Sequence, residues 1–317
     1  MILARKRRYR KKGDVLLFCD YFEEWVEDYK EGAIRDVTMK KYEIAHKRIK
    51  ELAPELELKD IDRKTYQKLL NDYAITHERQ TTMDFHHIVK SCLVDAFDAG
   101  LLEQNPTRKA VVRGKIPAEK KKKFLSQAEL RRLLERLDLG EEVSWDWLIF
   151  LTAKTGIRFA EGVGVTPADF DYECQELVIN KTWDYKSGMG SFATTKNKSS
   201  NRRIPLDGQT LWKFRTLLEG LPPNEPIFFA GKERVFNSTV NGILQRHCIA
   251  AGVPVISLHS LRHTHASLLL YAGVSIASVA KRLGHSNMAI TQKTYLHIID
   301  ELDKKDRGKI MEHLSML

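Results

Sequence analysis

Apolar residues in the first third of the chain recur every three to four positions, the spacing that places side chains on one face of an α-helix. Four segments within residues 15–112 show this pattern, so about four helices are expected there. Aromatic stripes at this spacing are more typical of a packed core than of a surface on which bases stack. The first stripe consists of Phe18, Tyr21, Phe22, Trp25, Val26 and Tyr29.

Residues with known preferences at helix ends set the expected limits of these helices. Thr38 and Asp62 are good N-cap residues and predict where the second and third helices begin. The fourth helix is expected to start at about Thr82 and to end before Gly100, because glycine suits the left-handed conformation that follows many helices.

The pattern changes after residue 112. Residues 113–123 contain a glycine, a proline and a run of lysines without any period, which predicts a linker between two domains. Ser126 and Glu129 then have the spacing of a capping box, which predicts the start of a helix and of a second domain. Helical segments continue from there to Gly156.

Strand signals follow in two segments, residues 176–180 and 194–205, with a Gly/Ser-rich turn between them. The remainder of the chain returns to helical spacing. The expected fold is therefore mainly α with a small antiparallel β-sheet, in which a helical domain at 15–112 precedes an α+β domain at 124–298.

Composition narrows the class of protein. The chain has 317 residues, 43% of them hydrophobic, which suffices for the cores of two domains. No segment approaches the roughly 20 consecutive apolar residues of a membrane span, and the basic residues 1–14 lack the apolar stretch of a secretory signal.

A formal net charge of +10 favours a polyanionic partner. The cysteines are widely separated, which favours a reducing cytoplasm over disulfides or a zinc ribbon: Cys19, Cys92, Cys174 and Cys248.

The candidate chemistry lies after residue 150, in side chains suited to holding a phosphodiester and attacking it. Arginine is always charged and binds two phosphate oxygens at once. Histidine exchanges a proton near neutral pH, and tyrosine can form a covalent intermediate once its proton is removed. Glu161 lies three residues after Arg158, on the same helical face, and could orient it. The full set is Arg158, Glu161, Lys196, His259, Arg262, His285 and Tyr295.

The order Arg-x-x-Glu, Lys, His-x-x-Arg, Gly-His, Tyr resembles the tyrosine site-specific recombinases, in particular the phage-type integrases. The resemblance extends over about residues 15–300, and its most specific part is LHSLRHTHASLLLYAGVSIASVAKRLGHSNMAITQKTYLHI. It implies a helical core-type DNA-binding domain, followed by a catalytic domain that needs no metal or other cofactor.

The resemblance also implies a role for each candidate residue. Tyr295 would attack phosphorus to form a 3′-phosphotyrosine, while Arg158 and Arg262 hold the phosphate oxygens. Lys196, which the sequence places at the tip of a predicted hairpin, would protonate the departing 5′ oxygen. His259 and His285 would hydrogen-bond the phosphate and assist proton transfer.

The partners implied by the resemblance are double-stranded DNA attachment sites. A homotetramer would exchange strands through a Holliday junction, assisted by DNA-bending or directionality proteins, in the cytoplasm near the nucleoid. The expected function is integration and excision of a phage or other mobile element. The basic segment 1–14 is too short for an arm-binding domain. Residues 299–317 either fold back on their own domain or dock on a neighbouring protomer.

Several alternatives stay open from the sequence. Lys198 competes with Lys196 as the general acid. His259, His263 and His265 could form a metal site, although no carboxylate or cysteine lies nearby as a further ligand and Arg262 would put a cation in the site. We expect His263 and His265 to be structural. Three alternative functions remain. The protein could be a housekeeping recombinase that resolves chromosome dimers, a type IB topoisomerase that relaxes supercoiled DNA, or a catalytically silent DNA-binding regulator.

Overall fold

The computed structural model describes residues 15–116, 124–185, 190–195, 197–229, 236–295 and 314–316. The chain divides into two units, residues 1–120 and 121–317. Among the described helices, none combines the length and the apolar content that crossing a membrane requires.

Within residues 15–116 of the first unit, the chain forms four α-helices, as the apolar spacing predicts. They are α1 (Phe18–Tyr29), α2 (Asp36–Leu52), α3 (Arg63–Ala74) and α4 (Arg79–Asp98). The aromatic stripe of α1 packs into the core, where Phe18, Phe22 and Trp25 are almost fully buried, whereas Tyr29 at its end is exposed. The buried indole of Trp25 donates to the Asp95 carboxylate over 2.7 Å, which ties α1 to α4.

The helix limits agree with the sequence in part. Asp62 caps α3 by accepting from the Thr65 backbone N–H, and Gly100 follows α4 with a φ of +75°. Thr38 is not a cap, because α2 already begins at Asp36. Thr82 lies inside α4, where its hydroxyl donates to the Glu78 carbonyl instead of starting the helix.

The described part of the expected linker lies against the first unit. The Lys115 backbone N–H donates to the His77 carbonyl over 2.9 Å. Just before it, Gln67 exchanges two hydrogen bonds of 2.8 Å with the Val111 backbone. A Cβ at Gly114 would meet the Arg79 backbone at 2.2 Å, so this close approach requires glycine.

The second unit packs its remaining helices around small sheets. Ser126 and Glu129 form the expected capping box at the start of the first helix. The next helix is apolar on all sides and buried along nearly its whole length, as expected of a central core helix. The helices are α5 (Gln127–Leu134), α6 (Trp145–Thr155), α7 (Phe159–Val163), α8 (Gly208–Leu217), α9 (Asn237–Ala250), α10 (Leu258–Tyr271) and α11 (Ile276–Leu283), and residues 288–295 are also helical.

The described strands form two antiparallel sheets. One has the order β1 (Phe170–Asp171), β2 (Glu176–Ile179), β5 (Arg202–Pro205), and the other consists of β3 (Lys181–Trp183) and β4 (Phe192–Thr194). The strand signals over residues 194–205 are confirmed only at the two ends of that segment, because β4 ends at Thr194 and β5 begins at Arg202. The Thr195 hydroxyl donates to Asn197 O and lies 2.8 Å from Asn201 Oδ1, and such local bonds compete with strand pairing.

Candidate active site

The end of α11 is where the candidate residues come together. Gly284 takes the left-handed conformation, with a φ of +67°, and ends the helix. The last carbonyls of a helix lack partners within it and carry the negative end of its dipole. Here they accept hydrogen bonds from three guanidinium groups. Arg202 Nε donates to the Arg282 carbonyl over 2.6 Å, and Arg262 Nη2 donates to the Leu283 carbonyl over 2.7 Å. Arg158 Nη2 donates to the Gly284 carbonyl over 3.0 Å.

Arg262 is fixed from two sides. Its Nη1 donates over 2.6 Å to the carbonyl of Gly156, the left-handed glycine that ends α6. A Cβ at Gly156 would meet the His265 ring at 2.8 Å, so a glycine is required for this close approach as well as for the positive φ. Burial and the nearby Arg158 lower the pKa of Arg262 to about 9, so the guanidinium remains charged at neutral pH.

Arg158 and Glu161 interact directly, as their spacing predicts. The Glu161 carboxylate accepts from Arg158 Nη1 over 2.7 Å and from the Arg158 backbone N–H over 2.9 Å. Only five residues form α7, and the two glycines there allow close packing: a Cβ would meet Leu148 at Gly162 and the β3 backbone at Gly164. Arg158 keeps 34% of its side chain exposed and can still reach a ligand.

Arg202 is a part of the site that the sequence reasoning missed. Its buried guanidinium donates to Glu161 over 2.8 Å and to the Ser200 carbonyl over 2.8 Å, in addition to the end of α11. It lies on the same face of β5 as the fully buried Ile204, while Arg203 between them is exposed. This alternation was the available signal that Arg202 points inward.

Positive charge exceeds negative charge in this cluster. Burial would raise the pKa of the Glu161 carboxyl, but Arg202 and Arg158 outweigh burial and hold that pKa below its usual value. Arg262 and Arg282 do not share this carboxylate in their hydrogen bonds, which go to neutral acceptors. Both donate to backbone carbonyls, and Arg282 also donates to the His265 ring. A buried excess of guanidinium charge favours binding of an anion.

Two of the candidate histidines lie beside these arginines. His285 Nδ1 is 2.7 Å from the Thr291 hydroxyl. Burial, Arg262 and Arg158 lower the pKa of His285 to about 4, so its ring is neutral at pH 7 without DNA. Desolvation and the same two arginines also lower the pKa of His259, which lies in the first turn of α10.

Tyr295 is buried, with 2% of its surface exposed. Burial raises its pKa to about 12, although Arg262 acts in the opposite direction. Its Oη lies 2.8 Å from Nδ1 of His263, a residue that the sequence reasoning treated as structural. The His263 ring also packs edge-on against His259, with centroids 4.8 Å apart.

The metal alternative finds no support in the histidine contacts. His265 Nδ1 is 2.9 Å from the Ala153 carbonyl, and its Nε2 accepts from Arg282 Nε over 2.9 Å, so both ring nitrogens are occupied. Within the described ranges, no group of three or more His, Cys, Asp or Glu side chains is arranged to hold a metal ion.

Lys196 lies outside the described residues, so its assignment stays a prediction. Its neighbours Thr195 and Asn197 belong to the connection between β4 and β5 and not to a hairpin tip. The rival Lys198 begins a short 3₁₀ turn, Lys198–Ser200. A Cβ at Gly284 would meet the Ser199 carbonyl at 3.1 Å, so this turn lies against the end of α11.

Residues 123–301 match the model of the phage integrase family, and residues 17–73 match the model of the phage integrase N-terminal SAM-like domain. A tyrosine recombinase XerC-like protein of Caldanaerobacter subterraneus subsp. tengcongensis is 27% identical over 263 residues, which cover 74% of this chain and 66% of that protein. The integrase of Staphylococcus phage L54a is 26% identical over 174 residues, 50% of this chain and 49% of that protein.

Among solved structures, the Tn1549 transposon integrase in complex with a circular intermediate DNA has a TM-score of 0.72 at 16% identity, covering 88% of this chain and 94% of that one. That likeness shows the fold. The first family model alone takes in more than half of the 317 residues. The chain therefore belongs to the phage integrase family.

Proposed function

We propose that this protein is a site-specific DNA recombinase that integrates and excises a phage or other mobile element. The observation that carries the proposal is the cluster of Arg158, Arg202 and Arg262 around the Glu161 carboxylate, with Tyr295 close by. The excess positive charge suits the scissile phosphate, and the tyrosine supplies a nucleophile.

In the proposed reaction, Arg158 and Arg262 hold the non-bridging oxygens and stabilise the charge that develops in the transition state. Tyr295 Oη attacks phosphorus, and Lys196 protonates the departing 5′ oxygen. The resulting 3′-phosphotyrosine keeps the energy of the broken bond. A 5′-hydroxyl from the partner duplex then reverses the step and joins the strands.

His259 and His285 are proposed to bind the phosphate. Both rings lie close to Arg158 and Arg262, which lower their pKa values. An incoming phosphate would offset this effect and favour the protonated rings, which donate hydrogen bonds to phosphate oxygens. The two histidines thereby complete the anion site that the arginines begin.

The assembly belongs to the same proposal. We propose that the protein acts in the bacterial cytoplasm on double-stranded attachment sites, as a homotetramer that passes through a Holliday junction. DNA-bending or directionality proteins would select the product. The relatives from phage L54a and Tn1549 support action on a mobile element.

A second candidate function is resolution of chromosome dimers, because one relative is a tyrosine recombinase XerC-like protein. Both functions use the same chemistry, so sequencing the junctions formed in a host genome separates them. Junctions between element ends and a chromosomal site support integration. Junctions between two copies of one chromosomal site support dimer resolution.

Trapping on a nicked suicide substrate tests the chemistry itself. We expect a covalent protein–DNA adduct at an undiminished rate in excess EDTA, because guanidinium and ammonium groups supply the charge that a metal would otherwise provide. Binding without any adduct would instead indicate a DNA-binding regulator. Loss of cleavage on chelation, restored by a divalent ion, would revive the metal alternative.

A sulfur-substituted substrate tests the general acid. Lys196→Ala should cleave ordinary DNA slowly, by a factor of about 10²–10⁴, the usual contribution of such a group. A 5′-bridging phosphorothiolate should restore its rate, because a thiolate leaves without protonation. Lys198→Ala is the matched control, and rescue of that variant alone would move the assignment to Lys198.

A further inference from the structure

The contact between Tyr295 and His263 is not explained by the proposed roles of the other residues. His263 Nδ1 lies 2.8 Å from Tyr295 Oη, within hydrogen-bond distance, and the two rings are inclined at 60° with centroids 5.8 Å apart. A base within hydrogen-bond reach of a nucleophile is the arrangement that activates hydroxyl nucleophiles in enzymes.

The chemistry of Tyr295 requires such a partner. Burial raises the pKa of Tyr295 to about 12, so only about one molecule in 10⁵ carries the phenolate at pH 7. The phenolic proton must therefore leave as Oη bonds to phosphorus. With 2% of the residue exposed, bulk water has little access to take it.

The neighbouring histidines are less suited to this step. His265 Nδ1 lies against the Ala153 carbonyl, and its Nε2 accepts from Arg282. His285 Nδ1 lies beside the Thr291 hydroxyl. His259 contacts the His263 ring rather than the phenol in the described contacts.

We infer that His263 accepts the phenolic proton of Tyr295 at Nδ1 during cleavage and returns it during rejoining. The inference rests on the proposed function, in which Tyr295 is the nucleophile. The Oη–H bond breaks as the Oη–P bond forms, and the P–O5′ bond breaks as O5′ takes a proton from the general-acid lysine. His263 becomes an imidazolium, and the reverse reaction restores the neutral ring.

Several charged or titratable groups lie around the His263 ring. His259 and Arg262 flank it on α10, Tyr295 faces it from the last described helix, and His285 lies close enough for the two rings to influence each other. The negative charge of the attacked phosphate stabilises an imidazolium at His263 as the phenolic proton moves to it.

The experiment measures single-turnover adduct formation on the suicide substrate between pH 5.5 and 9. His263→Ala should be about 10²-fold slower, within the range for a general base. We expect the wild-type rate to fall at acid pH, where the base is protonated. The rate of His263→Ala should not show this fall. Added imidazole should partly restore His263→Ala and leave the wild type unchanged.

Two comparisons separate a base from a packing role. On the 5′-bridging phosphorothiolate, His263→Ala should stay slow while Lys196→Ala recovers, because a better leaving group does not remove the phenolic proton. His247→Ala, which removes a histidine bonded to Asp146 on α6, should show no response to imidazole.

The remaining outcomes overturn the inference. A faster reaction in His263→Ala would mean that the histidine holds the tyrosine away from the phosphate. An unchanged rate, or a loss with an unaltered pH profile and no response to imidazole, would mean that His263 serves only the packing. If the wild type itself forms no adduct, it is the proposed function that fails.

Discussion

Tyr295→Phe is expected to bind attachment-site DNA and to yield no covalent protein–DNA adduct. The substitution removes one oxygen atom and keeps the ring, which is buried in the core beside α10 and α11. The contacts of Arg158 and Arg262 do not involve that oxygen. Losing its hydrogen bond costs about 1 kcal/mol, so DNA affinity should stay within about fivefold of the wild type.

The measurement pairs gel-shift binding with denaturing electrophoresis of the suicide-substrate reaction. Tyr29→Phe is the matched control, since it also removes a phenolic hydroxyl but from an exposed residue on α1. It should form the adduct at the wild-type yield. An adduct in Tyr295→Phe at that yield would transfer the nucleophile role to another residue.

The parts of the fold that were predictable from sequence are set by neighbouring residues. The Asp62 cap and the Ser126–Glu129 capping box each close within a single helical turn. Gly156 ends α6 because that position requires a positive φ. Thr38 failed as a cap because α2 was able to start earlier, at Asp36, where no side chain closes the first turn.

Apart from the Arg158–Glu161 pair, the supporting contacts of the site were not predictable, because they join residues far apart in sequence. Arg202 and Glu161 are separated by 41 positions, and Tyr295 and His263 by 32. Periodicity places a residue on a face of its own helix or strand but does not identify what that face meets. The sequence supplied the positions of Arg158, Arg262 and Tyr295 and the support of Arg158 by Glu161, but not the contacts made by Arg202 and His263.

The connection between β4 and β5 shows the same limit. It lies within the strand signals of residues 194–205, yet the chain leaves the sheets there, where Thr195 bonds to Asn197 and lies close to Asn201. Arg202 then has to reach the end of α11 and Glu161 at once. The position of β5 thus depends on partners that no local pattern contains.

Glu161→Gln is expected to lower the free energy of unfolding at pH 7 by about 3–5 kcal/mol, the usual cost of removing one partner from a buried ion pair. Glu161 is 2% exposed, and its carboxylate accepts from Arg158 and Arg202. A neutral amide leaves both guanidinium groups, with Arg262 nearby, without a compensating charge. Its NH₂ group also points a donor at one of them.

Urea unfolding of the full chain, followed by circular dichroism, measures the effect. Glu141→Gln is the control, because it makes the same chemical change at an exposed position before α6. Its unfolding midpoint should match the wild type. A loss in Glu161→Gln of less than about 1 kcal/mol, the size typical of a surface pair, would show that the ion pairs contribute little.

The pH dependence provides a second and independent check on Glu161. Arg202 and Arg158 hold the folded pKa of Glu161 below its ordinary value of 4.5. A group with a lowered folded pKa contributes its stability fully above the unfolded pKa and loses it as pH falls through the folded one. The difference between wild type and Glu161→Gln should therefore be constant between about pH 6 and 8 and shrink below pH 4.5. A difference that stays constant down to pH 3 would mean that packing, and not the carboxylate charge, is what the substitution removes.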